Sequence, residues 1–316
     1  MKKKNAAAVC AALGVCVLTS AAFASYQTAN GYDSLKKSII STFDYTNCTV
    51  TGTMAMTFDD IELVKASYLH EADLPNRMTH DRTESSSDVD GDTAYTSESY
   101  EDGSYVYYSY TNIDGEKDGF TRHEYYSGEP ASNLLGVSDD DRGTFDKVVR
   151  FMELAADTVV GDLRNNFVCT DETDDHTSYS ITLDSVQIPE IVNAGLSMVF
   201  SVSASDSTYI TVDENGNEIT KEYDENDGQY YINQLGTDPT VETLTLNFTV
   251  NNDGTYRDGD AVIVFKGQDA NGSEHRLTVS VDVAFSNVGT TVITPVTDLG
   301  VNIYEYDDNG NFVKAG

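Results

Sequence analysis

Paired turn signals constrain the fold of this chain more than any other feature of its sequence. Eleven Asn-Gly or Asp-Gly dipeptides punctuate the chain, and apolar and polar residues alternate between many of them. Such dipeptides favour the tight turns of β-hairpins, because Gly, Asn and Asp tolerate a positive φ. The longest unbroken alternation, over residues 277–285, predicts a strand with one buried face. The chain is therefore expected to fold mainly as antiparallel strands joined by tight turns.

The predicted strands form two blocks. The first begins with the alternation of Cys48, Val50, Met54, Met56 and Phe58 against Thr-rich positions. It continues as a meander with predicted strands at 61–69, 77–84, 93–100, 105–111 and 120–126. After a single strand at 178–183, the second block has predicted strands at 244–250, 261–265 and 277–285. Two long runs of antiparallel strands are thus expected, one in each half of the chain.

Three segments show the spacing of amphipathic helices. A short helix is predicted at 33–43, where Leu35, Ile39 and Phe43 share one face. The longest helix is predicted between Thr144 and about residue 167, and a third begins at Pro189. The chain therefore contains one long and two shorter predicted helices, two of which interrupt the strands.

Residues 1–24 are predicted to be a cleaved export signal. Lys2-Lys3-Lys4 precedes an apolar run over 6–19, and Ala22-Phe23-Ala24 has the small-x-small form of a cleavage site. The run is shorter than the ~20 residues that span a bilayer. No later segment approaches that length, so the mature chain is expected to lack a transmembrane helix and to be secreted or envelope-associated.

The charge of the chain excludes one class of partner. Asp and Glu number 53 against 19 Lys and Arg, which gives a formal charge of −34, and removal of the signal would take away three Lys and no acid. Such a surface cannot neutralise phosphates, so we expect no binding of nucleic acid or of an anionic bilayer through a basic face. Disorder is not expected, because 39% of the residues are apolar, with 20 Tyr and 12 Phe among the aromatic residues.

No motif in the sequence indicates catalysis. The five His residues show no metal-ligand spacing, and the segment 195–199 lacks the second Gly of a nucleophile elbow. We therefore expect no enzymatic activity, no catalytic residue and no cofactor.

One acidic turn resembles the start of a calcium loop. Asp88, Asp90 and Asp92 alternate as the first ligands of such a loop would, but the twelfth position is Ser99 rather than a bidentate acid. Hairpin-turn chemistry at Asp90-Gly91 explains the segment more simply. A weak calcium site at the three Asp residues remains the alternative.

Two cysteines remain once the signal is removed, Cys48 and Cys169. In an exported protein they can form a disulfide, and the alternative is a pair of separately buried thiols. Both interpretations stay open, because the sequence gives no distance between the two residues.

The order of elements resembles the LolA/LppX-like superfamily of lipoprotein carriers. Segments 159–163, 187–190 and 265–275 are also similar to segments of uncharacterised exported Gram-positive proteins. The resemblance implies an α+β fold, a curved antiparallel β-sheet forming an incomplete barrel, with one long and two shorter helices packed on its concave face. It spans a single predicted domain, residues 25–287. Residues 288–316 are predicted to be a C-terminal tail, in which Asn309-Gly310 can turn a weak hairpin.

The resemblance implies an apolar concavity that binds a lipid or lipopeptide, with the protein acting as a carrier or sensor. Met suits such a surface because its side chain adapts to different ligands. The predicted lining residues are Met54, Met56, Phe58, Tyr105, Tyr107 and Met152. Two alternatives stay open: the same residues form a dry core, or the protein is an acidic surface or regulatory module that binds an envelope protein.

Overall fold

The computed structural model describes residues 30–89, 94–111, 117–124, 142–160, 166–190, 192–194, 197, 208–212, 218–307 and 309–315. Its α-helices are α1 (Asn30–Thr42), α2 (Arg142–Val160) and α3 (Gly228–Asn233). Residues 190, 192–194 and 197, after Pro189, are also helical. The predicted helix at 33–43 is confirmed, and the long predicted helix is confirmed as far as Val160. Its predicted continuation over 161–165 lies outside the described residues, Phe167 is not helical, and the short α3 was missed.

Fifteen strands are described, and 13 of them form one sheet. They are β1 (Asn47–Phe58), β2 (Ile61–Asp73), β3 (Met78–Ser86), β4 (Tyr95–Glu101), β5 (Tyr105–Thr111), β6 (Lys117–Glu124), β7 (Val168–Glu172), β8 (His176–Asp184), β9 (Thr208–Val212), β10 (Glu218–Glu222), β11 (Thr240–Asn251), β12 (Tyr256–Gln268), β13 (Glu274–Ser286), β14 (Asn302–Tyr306) and β15 (Phe312–Lys314). Strands β9 and β10 form a separate antiparallel pair.

The large sheet is unclosed and mostly antiparallel. Its strand order is β15-β14-β6-β5-β4-β3-β2-β1-β13-β12-β11-β8-β7, and only the pairing of β14 with β6 is parallel among the described strands. The hairpins β11–β12 and β12–β13 turn at Gly254 and Gly272, whose φ angles are 87° and 83°. The predicted open antiparallel sheet with a few helices is thus confirmed.

Because successive side chains along each strand point to opposite sides, the sheet has two distinct faces. Helix α1 covers one of them with Tyr32 and Leu35, and we call this side the helix face. Its apolar cluster joins α1 to alternate residues of strands β1, β8, β11, β12 and β13. Thr49 points to the opposite side, where its hydroxyl lies 3.0 Å from that of Thr291. We call this second side the tail face, because residues 288–300 lie over it.

The predicted C-terminal tail is part of the sheet structure. Ile293 and Val296 are buried on the tail face against Tyr100, Tyr107 and Phe120. The chain then adds β14 and β15, which pair with each other on either side of Asn309-Gly310. The boundary at residue 287 therefore does not separate a folded domain from a tail, because the following segment completes a second apolar cluster.

Helix α2 is less covered than the sequence predicts. Val148, Phe151 and Leu154 are 53%, 68% and 56% exposed. Phe145 contacts Phe43 just after α1, with ring centroids 5.7 Å apart. Packing on the sheet is therefore clear for α1, while α2 keeps one apolar side open to solvent.

Candidate ligand-binding site on the helix face

The structure separates the predicted ligand-binding residues into two groups. Met54 and Met56 are half-buried, and Phe58 is buried in the helix-face cluster. Tyr107 is buried and Tyr105 half-buried in the tail-face cluster. Since a sheet separates the two groups, the six residues cannot line one cavity, and the predicted set is corrected on this point.

Met152 lies in α2, but its side chain is outside the described part of the structure.

Among the β5 side chains that the structure describes, Tyr108, rather than Tyr105 or Tyr107, is the aromatic residue on the helix face. It pairs with Ser99, which shares its face with Glu101, and it is 51% exposed. The sequence signal that could have found Tyr108 is the period of two, followed from β1 through each hairpin to β5.

The helix face carries an amphipathic strip where β1 to β4 adjoin. The register places Met54 opposite Ala66, which lies on the same side of β2 as Tyr68 and His70. The next two strands extend the strip with Asp81 and Glu101. We define the helix-face site as Met54, Met56, Ala66, Tyr68, His70, Asp81 and Glu101. Its apolar end lies on β1 and its polar end on β2 to β4.

Two side chains of the site, Tyr68 and Glu101, are partly desolvated. Tyr68 is 39% exposed, and burial raises its pKa well above the ordinary value, with a further contribution from Asp81. Burial, followed by the charge of Asp81, also raises the pKa of Glu101. Desolvation disfavours the charged form of an acid, so both groups hold their protons more strongly here than in water.

Asp81 organises the polar end of the site. The Tyr68 hydroxyl donates to Asp81 Oδ1 at 3.1 Å, and His70 Nδ1 lies 2.7 Å from the same oxygen. The rings of Tyr68 and His70 are nearly parallel, with centroids 6.2 Å apart. A polar headgroup can therefore meet fixed donors and acceptors here, while an apolar chain contacts β1 and β2.

A second histidine is buried on the tail face and belongs to a structural network. His80 Nδ1 lies 2.8 Å from Glu71 Oε2, and its Nε2 lies 3.2 Å from Glu98 Oε1. The ring stacks on Tyr100 with centroids 4.1 Å apart, and burial together with Glu98 raises the pKa of that tyrosine. Both ring nitrogens have carboxylate neighbours, which fix the orientation of the ring within this network.

One of the three predicted calcium ligands, Asp88, lies in the described part of the structure. Asp88 Oδ2 accepts a hydrogen bond from the Glu62 backbone N–H at 3.3 Å, while Asp90 and Asp92 lie outside the described residues. Within the described ranges, no group of three or more His, Cys, Asp or Glu side chains is arranged to hold a metal ion. Calcium binding at 88–92 stays a prediction.

A separate shallow pocket contains none of the predicted ligand-binding residues. Its volume is about 390 Å³, and its lining is mainly polar. The lining residues are Leu235, Thr237, Asp238, Thr240, Lys266, Gly267 and Gln268. It is not the apolar concavity that the sequence predicts.

Cys48 and Cys169 do not form the predicted disulfide. Both are free thiols, one buried in β1 and the other exposed in β7. Four strands, β13, β12, β11 and β8, lie between β1 and β7 in the sheet, and neighbouring strands are spaced ~4.8 Å apart. The separation far exceeds the reach of a disulfide. The alternative of two separate thiols is correct, except that Cys169 is exposed.

Comparison with solved structures gives several distant neighbours, among them LprF and a LolA superfamily protein. No family model and no curated protein matches the chain. The crystal structure of LprF from Mycobacterium bovis matches with a TM-score of 0.29 and 14% identity, over 83% of this chain and 94% of that one. A LolA superfamily protein from Nitrosomonas europaea matches with a TM-score of 0.18 and 8% identity, over the same shares.

TM-scores this low carry no argument about family or ligand, so the site is argued from the residues of this chain. No helix among the described residues is long and apolar enough to span a membrane.

Proposed function

We propose that this protein is a non-enzymatic, extracytoplasmic carrier or sensor that binds a lipid or lipopeptide at the helix-face site. The supporting observation is the helix-face strip around Tyr68, whose side chain is 39% exposed and donates to Asp81. Tyr68 lies between half-buried methionines and the polar group around Asp81. An amphipathic ligand needs this combination of an apolar strip and a polar end.

The energetics favour a ligand with a long acyl chain. Each methylene removed from water contributes about 0.8 kcal/mol, whereas association costs at least about 4 kcal/mol in lost translational and rotational freedom. A chain that buries about ten methylenes therefore gains roughly 8 kcal/mol before these costs, and a short-chain ligand falls below useful affinity.

The test compares two Trp substitutions on opposite faces of β2. Ala66→Trp adds a large ring to the helix-face site, whereas Ser67→Trp adds the same ring to an exposed position on the tail face. The exported protein, gently purified and measured by native mass spectrometry, is expected to carry an apolar adduct. Ser67→Trp should retain the adduct and Ala66→Trp should lose it.

Circular dichroism must show that both variants are folded. A native mass spectrum in which the wild-type protein carries no adduct would contradict lipid binding. Equal adducts in the two variants would contradict the assignment of the site to this face.

Strand β7 supports a second candidate function, binding of an envelope protein. It forms one end of the sheet, and all five of its residues are exposed. An extended peptide can add to such an edge through backbone hydrogen bonds. Capture of a partner that persists at high salt and is lost when a Pro is placed in β7 would support this function. Capture that high salt abolishes would contradict it and indicate charge pairing with the acidic surface.

A further inference from the structure

One side of helix α2 presents a group of exposed apolar and basic side chains. Lys147, Arg150, Phe151 and Leu154 follow the i, i+3, i+4, i+7 spacing of a single stripe, and Val148 adjoins it. Val148, Phe151 and Leu154 are 53%, 68% and 56% exposed. We call these five residues the outward face of α2. Exposed apolar side chains grouped in this way mark a surface that contacts a partner.

The outward face is positively charged, although the chain as a whole is strongly acidic. Lys147 and Arg150 are exposed, and neither forms an ion pair with any residue that the structure describes. Arg142, at the start of the helix, instead pairs with Asp44 and with Asp146, the latter at 3.2 Å. Two acids flank this side of the helix: Asp146 is paired with Arg142, and the half-buried Glu153 follows Arg150 by three residues. The five residues of the outward face themselves include two basic residues and no acid.

The start of α2 is held against the end of α1, the helix that covers the sheet. The edge-to-face contact of Phe145 with Phe43 and the ion pair of Arg142 with Asp44 join the two helices. Because α1 packs on the helix face, the outward face of α2 is linked to the side of the sheet that contains the proposed ligand site.

We propose that the outward face of α2 docks the protein on the surface of an anionic lipid bilayer. A helix that combines Phe and Leu with basic residues suits the boundary between headgroups and acyl chains. This contact departs from the expectation, drawn from the overall charge, that the protein has no basic face for an anionic bilayer. The acidic remainder of the protein is repelled, but repulsion beyond about 8 Å is screened at physiological salt. The role of this docking rests on the proposed function, since lipid would pass between the bilayer and the helix-face site.

A tryptophan reporter tests the contact directly. The chain contains no Trp, so Phe151→Trp gives the only indole signal. Vesicles of phosphatidylcholine mixed with phosphatidylglycerol are expected to shift its emission to the blue, and vesicles of phosphatidylcholine alone are not. Val186→Trp is the matched control, because Val186 is 92% exposed after β8, and its emission should not change.

Vesicle sedimentation tests the basic and the apolar side chains of the outward face separately. Each basic residue near an anionic surface contributes about fivefold to affinity, so the double variant Lys147→Gln/Arg150→Gln should bind roughly 30-fold more weakly. Phe151→Asp should also release the protein, whereas Lys221→Gln, at an exposed position in β10, should not. All variants must keep the wild-type circular dichroism spectrum.

The outcomes separate this inference from the proposed function. Loss of vesicle binding by Phe151→Asp, with the lipid adduct retained in native mass spectrometry, supports docking through α2. Absence of wild-type binding, or equal binding to neutral vesicles, overturns docking even if the adduct is present. Binding of an envelope protein by the same face, without vesicle binding, also overturns it.

Discussion

The burial of Ile293 gives a direct test of the role of the C-terminal segment. Ile293 is 5% exposed and packs with Val296 against Tyr100, Tyr107 and Phe120 on the tail face. If residues 288–316 were a detached tail, shortening this side chain would have no effect on stability. In the structure, Ile293→Ala removes three carbon atoms from a closed apolar cluster.

The expected cost follows from this burial. Ile→Ala at a buried site costs about 2–5 kcal/mol, because transfer free energy is lost and a cavity remains. For a cluster with few members, we expect about 3 kcal/mol, which corresponds to roughly a 150-fold change in the folding equilibrium. For a protein of this size, each kcal/mol lowers the Tm by about 2–4 °C, so the expected fall is about 6–12 °C.

Thermal unfolding followed by circular dichroism measures this effect. Val292→Ala is the matched control, since Val292 precedes Ile293 and is 85% exposed. Its free energy of unfolding should change by no more than about 0.5 kcal/mol. Equal Tm values for the two variants would refute the packing of this segment on the sheet.

Three further predictions concern single residues. In the folded protein, a thiol reagent should label Cys169, which is exposed, and not Cys48, because burial raises the pKa of that thiol to about 11; labelling of both before unfolding would contradict the structure. Burial raises the native pKa of Glu101 above the ordinary value of 4.5, so folding favours the protonated side chain. The stability that this provides is fully present below pH 4.5 and is lost as the pH rises through the native pKa. Glu101→Gln should therefore raise the Tm at pH 7, and a gain of equal size below pH 4 would contradict this reasoning. Gly119→Ala should detach β14, because a Cβ would lie 2.0 Å from the Asn302 carbonyl oxygen, and limited proteolysis near the C-terminus should then accelerate.

The local pattern of the sequence was sufficient for most of the sheet. Alternation over 277–285 predicted β13, and the start of the first block predicted β1, because a half-buried strand fixes the identity of every second residue. Helix α1 was predicted for the same kind of reason, since Leu35 and Ile39 share the face that packs on the sheet.

The pairing of faces across several hairpins was harder to predict. Tyr105 and Tyr107 are predicted to line the same cavity as Met54 because all three are large, largely apolar residues in strands. Their side of the sheet depends on the register of every hairpin between β1 and β5. The role of Ile293 was missed for another reason: a segment that crosses the strands has no period of its own.

Burial of the long helix and proximity of the cysteines depend on tertiary structure. Helix α2 is apolar on both its inward and outward sides, so spacing alone could not show that Phe151 is exposed. The distance between Cys48 and Cys169 follows from the strand order, in which β7 lies at one end of the sheet. Neither property is encoded in a local window of sequence.

The central claim is that an amphipathic lipid binds to the helix face where β1 and β2 adjoin. Methyl NMR of ¹³C-methionine-labelled protein tests it, because Met54 and Met56 lie on the helix face and Met78 packs on the tail face. Addition of a monomeric lysophospholipid to the lipid-free protein should shift the methyl signals of Met54 and Met56 and leave that of Met78 unchanged. Unchanged signals at Met54 and Met56 under saturating lipid, or a shift confined to Met78, would contradict the claim.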